Sequence, residues 1–313
     1  MCLNRCYTPY STFLSRYFEG KVQKLPLDVE SACPVRDGRI AHGGCAFCNG
    51  RSFVPRICGR PESVRQQLEA GKHFFLRKMP RHRSLAFLAY FQTGSNTYRP
   101  VAEMETYVAE ALSVDNVCGV VFATRPDCIG ASWMDFLHDL QSRTFVMVEL
   151  GVESLDNDVL RMVGRGHDAQ ASRAAVYRLS AAGIPVGAHF ILGLPGESRE
   201  SMLRQAETVS RWPVDVVKLH QLQILKGARL AADYLRSPAS CPVFELDDYV
   251  ELVADYLERL DSRIAVERFV SQSPAEALIA PRWGVKPDEV VRRVERLMKG
   301  RGTRQGVLCG HKS

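Results

Sequence analysis

The sequence predicts an α/β protein, a partial (β/α)6 TIM-like barrel with a C-terminal helical extension. Three observations lead there. β-rich runs alternate with helical patterns along most of the chain. Several runs are apolar at nearly every residue, as strands covered on both faces must be. The length, 313 residues with 46% hydrophobic and 24% charged, suits one large α/β domain or two small ones. Repeated β-then-α units imply parallel strands with right-handed crossovers. An open doubly wound sheet shares that pattern. In either architecture the active site belongs at the C-terminal strand ends.

Taken in order, the strands are expected at 21–29, 84–92, 118–124, 145–150, 184–192, 214–222 and 263–270. Helical patterns fill the intervals at 61–73, 102–112, 131–142, 169–182, 201–212 and 247–260. Asp247 precedes the apolar positions Val250, Leu252, Val253, Tyr256 and Leu257, so it can cap the sixth helix. In a last helix at 288–299, Val290, Val291, Val294, Leu297 and Met298 share one face, and Arg292, Arg293, Arg296 and Lys299 lie largely on the other. Gly300 and Gly302 then end it, and the tail from Thr303 is expected to be mobile. This divides the chain into an N-terminal extension (1–20), a core barrel (21–235) and a C-terminal extension with a basic helix (236–313).

Composition sets the next bounds. No apolar run reaches the ~20 residues of a membrane span. The start, Met1-Cys2-Leu3-Asn4-Arg5-Cys6-Tyr7, has no apolar segment of the secretory kind. A cytoplasmic protein with no membrane partner is the expectation. Ten cysteines in such a chain point to reduced thiols or metal ligation, not a disulfide framework. The net charge is +6, unevenly spread. Residues 51–83 carry nine Lys/Arg against two Glu, and residues 281–313 carry nine against three acids. Two basic segments on a mildly acidic body can be the footprint of a polyanion, or simply solvated helix faces.

The chemistry lies in Cys33, Cys45 and Cys48, spaced C-x11-C-x2-C directly after the first strand. Pro34, Asp37, Gly38, Gly43 and Gly44 supply the turns of the loop between them. A structural zinc site takes four protein ligands, and a [4Fe–4S] cluster usually takes four cysteines. Three thiolates leave one iron of a cluster open to a small molecule. His42 offers the competing reading, a Cys3His zinc site. Cys2 and Cys6 form a pair without a third member, and Cys58, Cys118, Cys128, Cys241 and Cys309 are scattered. His189, His220 and Lys218 lie within apolar strands. Each is read as a core residue or as a group pointing into the barrel for substrate contact or proton transfer. Tyr90 and Tyr98 are read as packing residues.

The cysteine loop resembles that of the radical S-adenosylmethionine (SAM) enzymes, and its long first interval resembles the elongator-type branch. The later segments follow in family order at strand ends. They are Tyr90-Phe91-Gln92-Thr93-Gly94-Ser95-Asn96-Thr97-Tyr98, Thr124-Arg125-Pro126-Asp127, Glu149-Leu150-Gly151-Val152-Glu153-Ser154, His189-Phe190-Ile191-Leu192-Gly193-Leu194-Pro195-Gly196-Glu197, and Val217-Lys218-Leu219-His220 with Leu225-Lys226-Gly227. Near the end, Ala277-Leu278-Ile279-Ala280-Pro281-Arg282-Trp283 and Arg301-Gly302-Thr303-Arg304-Gln305-Gly306 resemble the short stand-alone YhcC-type subfamily. Val35 and Arg304 depart from that subfamily, where Asn and Tyr are usual.

The resemblance implies a [4Fe–4S] cluster held by Cys33, Cys45 and Cys48, which binds SAM and reductively cleaves it to a 5′-deoxyadenosyl radical. It places Phe47 beside the SAM adenine and Gln92 and Gly94 near the methionine end. Glu149 and Ser154 become polar cofactor contacts, and Gly193, Gly196 and Glu197 a glycine-rich segment approaching SAM. An electron donor such as flavodoxin or ferredoxin is implied as a partner. The elongator-type likeness and the basic segments suggest RNA, a tRNA base, as substrate. A small metabolite or a protein side chain is the alternative, and a non-enzymatic zinc-bound RNA-binding protein is the alternative of another class. Elongator-type acetyl transfer is not expected, because no room for an acetyltransferase domain follows the barrel.

Overall fold

The structure is a computed structural model that describes residues 5–50, 63–77 and 85–310. Seven strands form one sheet: β1 (Lys21–Leu27), β2 (Leu85–Phe91), β3 (Val117–Thr124), β4 (Phe145–Glu153), β5 (Val186–Leu192), β6 (Val216–Gln221) and β8 (Ala265–Arg268). They lie side by side in chain order, and every neighbouring pair is parallel. A short antiparallel pair, β7 (Ile224–Leu225) with β9 (Leu278–Ala280), stands beside it. The crossovers are α2 (Val64–Leu76), α3 (Val101–Leu112), α4 (Ala131–Gln141), α5 (Asn157–Met162) with α6 (Ala169–Ala181), α7 (Arg199–Val209), and α8 (Arg229–Arg236) with α9 (Leu246–Arg259). The partial barrel is as expected, with a seventh parallel strand that falls at 265–268. The first residues of the first helical pattern (61–62), Ser84, Cys2, Cys58 and the basic residues Lys78, Arg81 and Arg83 lie outside the described residues.

Side chains alternate across each strand, and the two faces do different work. Outward residues such as Leu25, Leu27, Phe87, Phe91, Phe122 and Phe190 meet the helices in the main core. Each fully buried side chain of this size stabilises by about 1.5–3 kcal/mol. Inward residues Val22, Leu88, Val121, Met147, Val216 and Ala265 form a second core at the N-terminal end of the barrel. That end is closed by α1 (Tyr10–Leu14), five residues that the sequence patterns did not predict. Its Phe13 and Leu14 plug the barrel, and the chain ahead of it pairs with β8 through Val266 N–H to Thr8 O, 2.8 Å. The opposite end stays open, so the fold itself decides where a ligand enters.

Capping is local. Ser63 and Gln66 form a reciprocal capping box on α2, and Asp168 and Ser198 cap α6 and α7. Asp247 is a correction: α9 starts one residue before it, and the N-cap position is Glu245, with no side-chain cap bond. Asp247 instead sits in the first turn, where its charge suits the helix dipole. The tail is a second correction. Helix α10 (Pro287–Gly300) packs on α9, and the following chain is tied down by Gln305, which is buried. Its amide donates to Asp261 O and Ile264 O, both 2.8 Å, and its oxygen accepts from Thr8 N–H, 2.9 Å. One polar side chain thus joins the two ends of the chain.

Candidate active site

A cavity of about 950 Å³ opens at the C-terminal strand ends. Cys33, Cys45 and Cys48 all line it, although no three His, Cys, Asp or Glu side chains among the described residues stand close enough to share one metal ion. The loop that carries them is anchored on both sides. Ala46 N–H donates to Val163 O at 2.7 Å, and Leu230 N–H donates to Ala46 O at 2.9 Å. Cys45 is buried, whereas Cys33 and Cys48 are partly exposed. Two guanidiniums reach the sulfurs: Arg165 Nη1 lies 3.6 Å from Cys45 Sγ, and Arg36 Nη2 lies 3.5 Å from Cys48 Sγ. Burial pushes the Cys48 thiol up, and the Arg36 charge works the other way. His42 turns away: it is exposed and folds over Gly38, where a Cβ would come within 2.3 Å of its ring. All eight described cysteines are free thiols.

The next wall is built at the end of β4. Register shifts between Gly151 and Glu153, and Glu153 takes φ +70°, a left-handed conformation that a non-glycine residue adopts at a cost. The shift lets Arg165 cross the strand end. Its Nη2 donates to Gly151 O at 2.5 Å and lies 3.5 Å from the Glu153 carboxylate. A Cβ at Gly151 would lie 2.6 Å from Glu153 Oε1 and 2.7 Å from Arg165 Nη2, so a side chain there would displace both. Arg125 makes a bidentate pair with Asp127 at 2.7 and 2.9 Å. Arg125 Nη1 and Arg165 Nε are buried without a partner in the structure. Buried donors left unpaired cost about 1–3 kcal/mol each unless something accepts from them.

The floor is an ionic layer. Glu149, 1% exposed, accepts from Lys218 Nζ at 2.7 Å and from His189 Nε2 at 2.9 Å, and also from Lys24. Glu267 accepts from Lys24 at 2.6 Å and pairs with Lys218 at 3.1 Å. Tyr90 closes the layer, its hydroxyl 3.3 Å from Lys218 Nζ and its ring face beneath both lysines. Two carboxylates therefore balance two ammoniums. Burial alone would raise the Glu149 carboxyl, but Lys218 and Lys24 outweigh it and hold it well below the usual carboxylate range. Burial lowers His189 to about 4 and holds His220 well below the ordinary histidine range, so both are neutral at neutral pH. His220 Nε2 has no partner and its ring stands 5.8 Å from that of His189.

The cavity brings together Cys33, Cys45, Cys48, Phe47, Gln92, Gly94, Glu149, His189, His220 and Lys218. It does not bring in Ser154, Gly193, Gly196 or Glu197, which are absent from its lining. Gly193 has φ +89°, and a Cβ there would meet the Phe244 ring at 2.7 Å, so packing accounts for this glycine. At Gly196 the neighbour is Met162. Ser154 Oγ and Gln205 Nε2 both donate to Glu197 Oε1 at 2.5 Å. Burial raises Glu197 to about 7. Across the window from about 4.5 to 7 the folded chain keeps a proton that the unfolded chain has lost, so stability falls as pH rises through it. Glu197→Gln is expected to raise the thermal midpoint at pH 8 by a few degrees and to leave it unchanged near pH 4.5, with SAM affinity retained. An equal shift at both pH values, or lost SAM affinity, would contradict this placement.

The sequence reading missed Lys24, Arg36, Tyr90 as a site residue, Arg165, Glu267 and Arg268. A signal existed. Val22, Leu88, Met147, Val216 and Ala265 are inward and apolar. Two residues further on stand Lys24, Tyr90, Glu149, Lys218 and Glu267. An apolar residue followed at i+2 by a polar one, strand after strand, marks one face passing from core to site.

Comparison with known proteins decides the family. Residues 35–209, more than half of the chain, match the Radical SAM superfamily. The chain belongs to the radical SAM superfamily. Residues 214–300 match the Radical SAM C-terminal domain. This radical SAM enzyme is 33% identical over 300 residues to the protein YtqA of Bacillus subtilis, covering 96% of this chain and 92% of that one. It is 30% identical over 284 residues to YhcC of Escherichia coli K12, covering 90% and 89%. A tRNA uridine(34) acetyltransferase of Methanocaldococcus infernus is 24% identical over 184 residues, 58% of this chain and 33% of that protein. Among solved structures, the archaeal Elp3 of Methanocaldococcus infernus superposes with a TM-score of 0.69 at 16% identity, over 92% of this chain and 65% of that one. As a family member the enzyme uses a [4Fe–4S] cluster and SAM. No helix among the described residues is long and apolar enough to cross a membrane.

Proposed function

We propose that Cys33, Cys45 and Cys48 hold the [4Fe–4S] cluster, that SAM occupies the same cavity, and that the substrate is a tRNA base. The observation that carries the site is the cavity itself. Three thiols line it, two of them with guanidinium neighbours, and next to them stand buried donors with no acceptor of their own, Arg125 Nη1 and Arg165 Nε. That donor set fits a thiolate-bound cluster beside a ligand with an anionic end, such as the SAM carboxylate. When bound, cluster and SAM together supply a radical that abstracts a hydrogen atom from the substrate.

The chain's own residues then do four things. The thiols fix the cluster at the barrel mouth. Arg125 and Arg165 donate to the anionic end of the ligand, and Phe47 and Ile191 give it apolar walls. The ionic floor of Lys24, Glu149, Lys218 and Glu267 seals the barrel behind the site, so water reaches it only from the mouth. That limits loss of a reactive intermediate to solvent. His189 and His220, neutral and on the cavity wall, are the candidates to touch substrate and move a proton.

The tRNA reading is supported by the elongator-type loop and by the relatives named for tRNA uridine(34). The C-terminal basic helix supports it less than its sequence suggested. Arg292 pairs with Glu289 at 3.0 Å, and Arg293 with Asp247 at 2.8 Å. Comparative mass spectrometry of tRNA nucleosides from cells with and without this protein tests the reading directly. One nucleoside is expected to disappear and its precursor to accumulate. Unchanged nucleosides would move the substrate to a metabolite or a protein side chain. If α10 contributes, Arg296→Glu with Lys299→Glu lowers tRNA affinity and flattens its salt dependence by about one unit per lost phosphate contact.

A further inference from the structure

We infer that a second pocket, next to the cavity, holds the nucleotide beside the target base of an unpaired RNA segment. The inference rests on the tRNA reading above and names how that substrate is gripped. The pocket measures about 290 Å³ and lies where the chain leaving β6 and β8 meets β9 and the start of α10. Ser271, Gln272, Ser273 and Ala275 line both compartments, so one stretch of chain is the wall between them. Two buried glutamines fix that wall. Gln221 accepts from Ser271 N–H at 2.9 Å and donates to Ser271 O at 3.1 Å, and Gln223 accepts from Ser273 Oγ at 2.7 Å. A polymer with one unit in the cavity can lay the next across this fixed edge.

The chemistry of the pocket comes from Arg282 and Trp283, in a C-terminal segment that the cavity does not use. Trp133 and Trp212 are buried in the main core, whereas Trp283 is half-buried and lines the pocket. Its indole is held in place: Nε1 donates to Phe244 O at 2.9 Å, and the Tyr249 ring centroid lies 5.3 Å away. A fixed aromatic ring is a platform on which any base can stack. Arg282 is exposed, and donates from Nη2 to Leu278 O at 2.7 Å and from Nε to Ile279 O at 3.2 Å. Both acceptors are neutral carbonyls, so the guanidinium is oriented while its charge stays unbalanced. A cation beside a stacking ring suits a phosphodiester. Arg268 supplies a second cation in the cavity, where its pairing with Glu267 is long, 3.9 Å, to a carboxylate already engaged by Lys24 and Lys218. Gly284 leaves the pocket room, since a Cβ there would meet nothing within 4 Å. A pocket of this size takes one mononucleotide-sized group, so the RNA has to be unpaired there.

The test uses the cluster-loaded enzyme and a short fluorescein-labelled oligouridylate, with binding followed by anisotropy and an RNA duplex of the same length as control. Trp283→Leu is expected to weaken the single strand about tenfold and to leave the duplex unchanged, whereas Trp283→Phe keeps a ring and loses much less. Arg282→Gln is expected to weaken the single strand and to flatten its log–log salt dependence by about 0.7, the share of one single-strand phosphate. Iron content stays as in the parent throughout. Unchanged single-strand affinity in Trp283→Leu would overturn the inference, as would equal losses for strand and duplex. Should Trp283→Leu not fold, the parent decides. With 5-bromouridine in the oligonucleotide, irradiation is expected to cross-link Trp283, read by mass spectrometry of the peptides, and cross-links confined to other residues overturn the inference. A parent that binds no RNA, together with unchanged tRNA nucleosides, would sink the tRNA reading itself. Nucleosides that change while Trp283→Leu binds as the parent does would sink the pocket alone.

Discussion

Cys45→Ala is expected to yield a folded, colourless protein after anaerobic reconstitution, with iron falling from about four per chain to near zero. Cys45 is the buried member of the three and the one whose sulfur meets the Arg165 guanidinium, so no neighbouring thiol can take its place. Cys33→Ala and Cys48→Ala should behave alike. Cys309→Ala should keep the full chromophore, because Cys309 lies in the tail after α10 and lines no part of the cavity. Iron and sulfide analysis with the visible spectrum reads the result. A complete cluster in Cys45→Ala would overturn the ligand assignment.

Glu149→Gln carries the largest expected stability effect. It leaves Lys24 and Lys218 with Glu267 alone, which strands one positive charge in a buried layer. Removing one partner of a buried pair costs about 3–5 kcal/mol. In a protein of this size that is roughly 5–15 °C in thermal midpoint. Lys218→Met added to it restores the balance to one carboxylate and one ammonium and should recover much of the loss. Removing a buried pair together is often neutral. A Glu149→Gln protein as stable as the parent would show that the layer is hydrated and not the sealed floor described above.

These two sites also show what could be read from the chain and what could not. Cys33, Cys45 and Cys48 were legible because ligands on one loop carry their spacing in the sequence. The sheet was legible because several strands are apolar at nearly every residue and alternate with helical patterns along the chain. Glu149, Lys218 and His189 were legible as candidates but not as a set. What joins them is the register of β4, β5 and β6, which only the folded sheet supplies. Arg165 left no periodic signal. It follows a six-residue helix, and its guanidinium spans from Gly151 O at the β4 register shift to Cys45 Sγ. Ser154 and Glu197 point to the same limit from the other side. Both follow strand ends in sequence, yet they bond to each other and line no part of the cavity. Helix α1 escaped notice because five residues are too few for a helical period.

A cluster that cleaves SAM in this cavity is the central claim. The direct measurement is anaerobic incubation of the reconstituted enzyme with SAM and dithionite, with 5′-deoxyadenosine and methionine quantified by mass spectrometry. The account predicts that both appear in equal amounts and that neither appears with Cys45→Ala. A parent protein that purifies with one zinc per chain and forms no 5′-deoxyadenosine would contradict it.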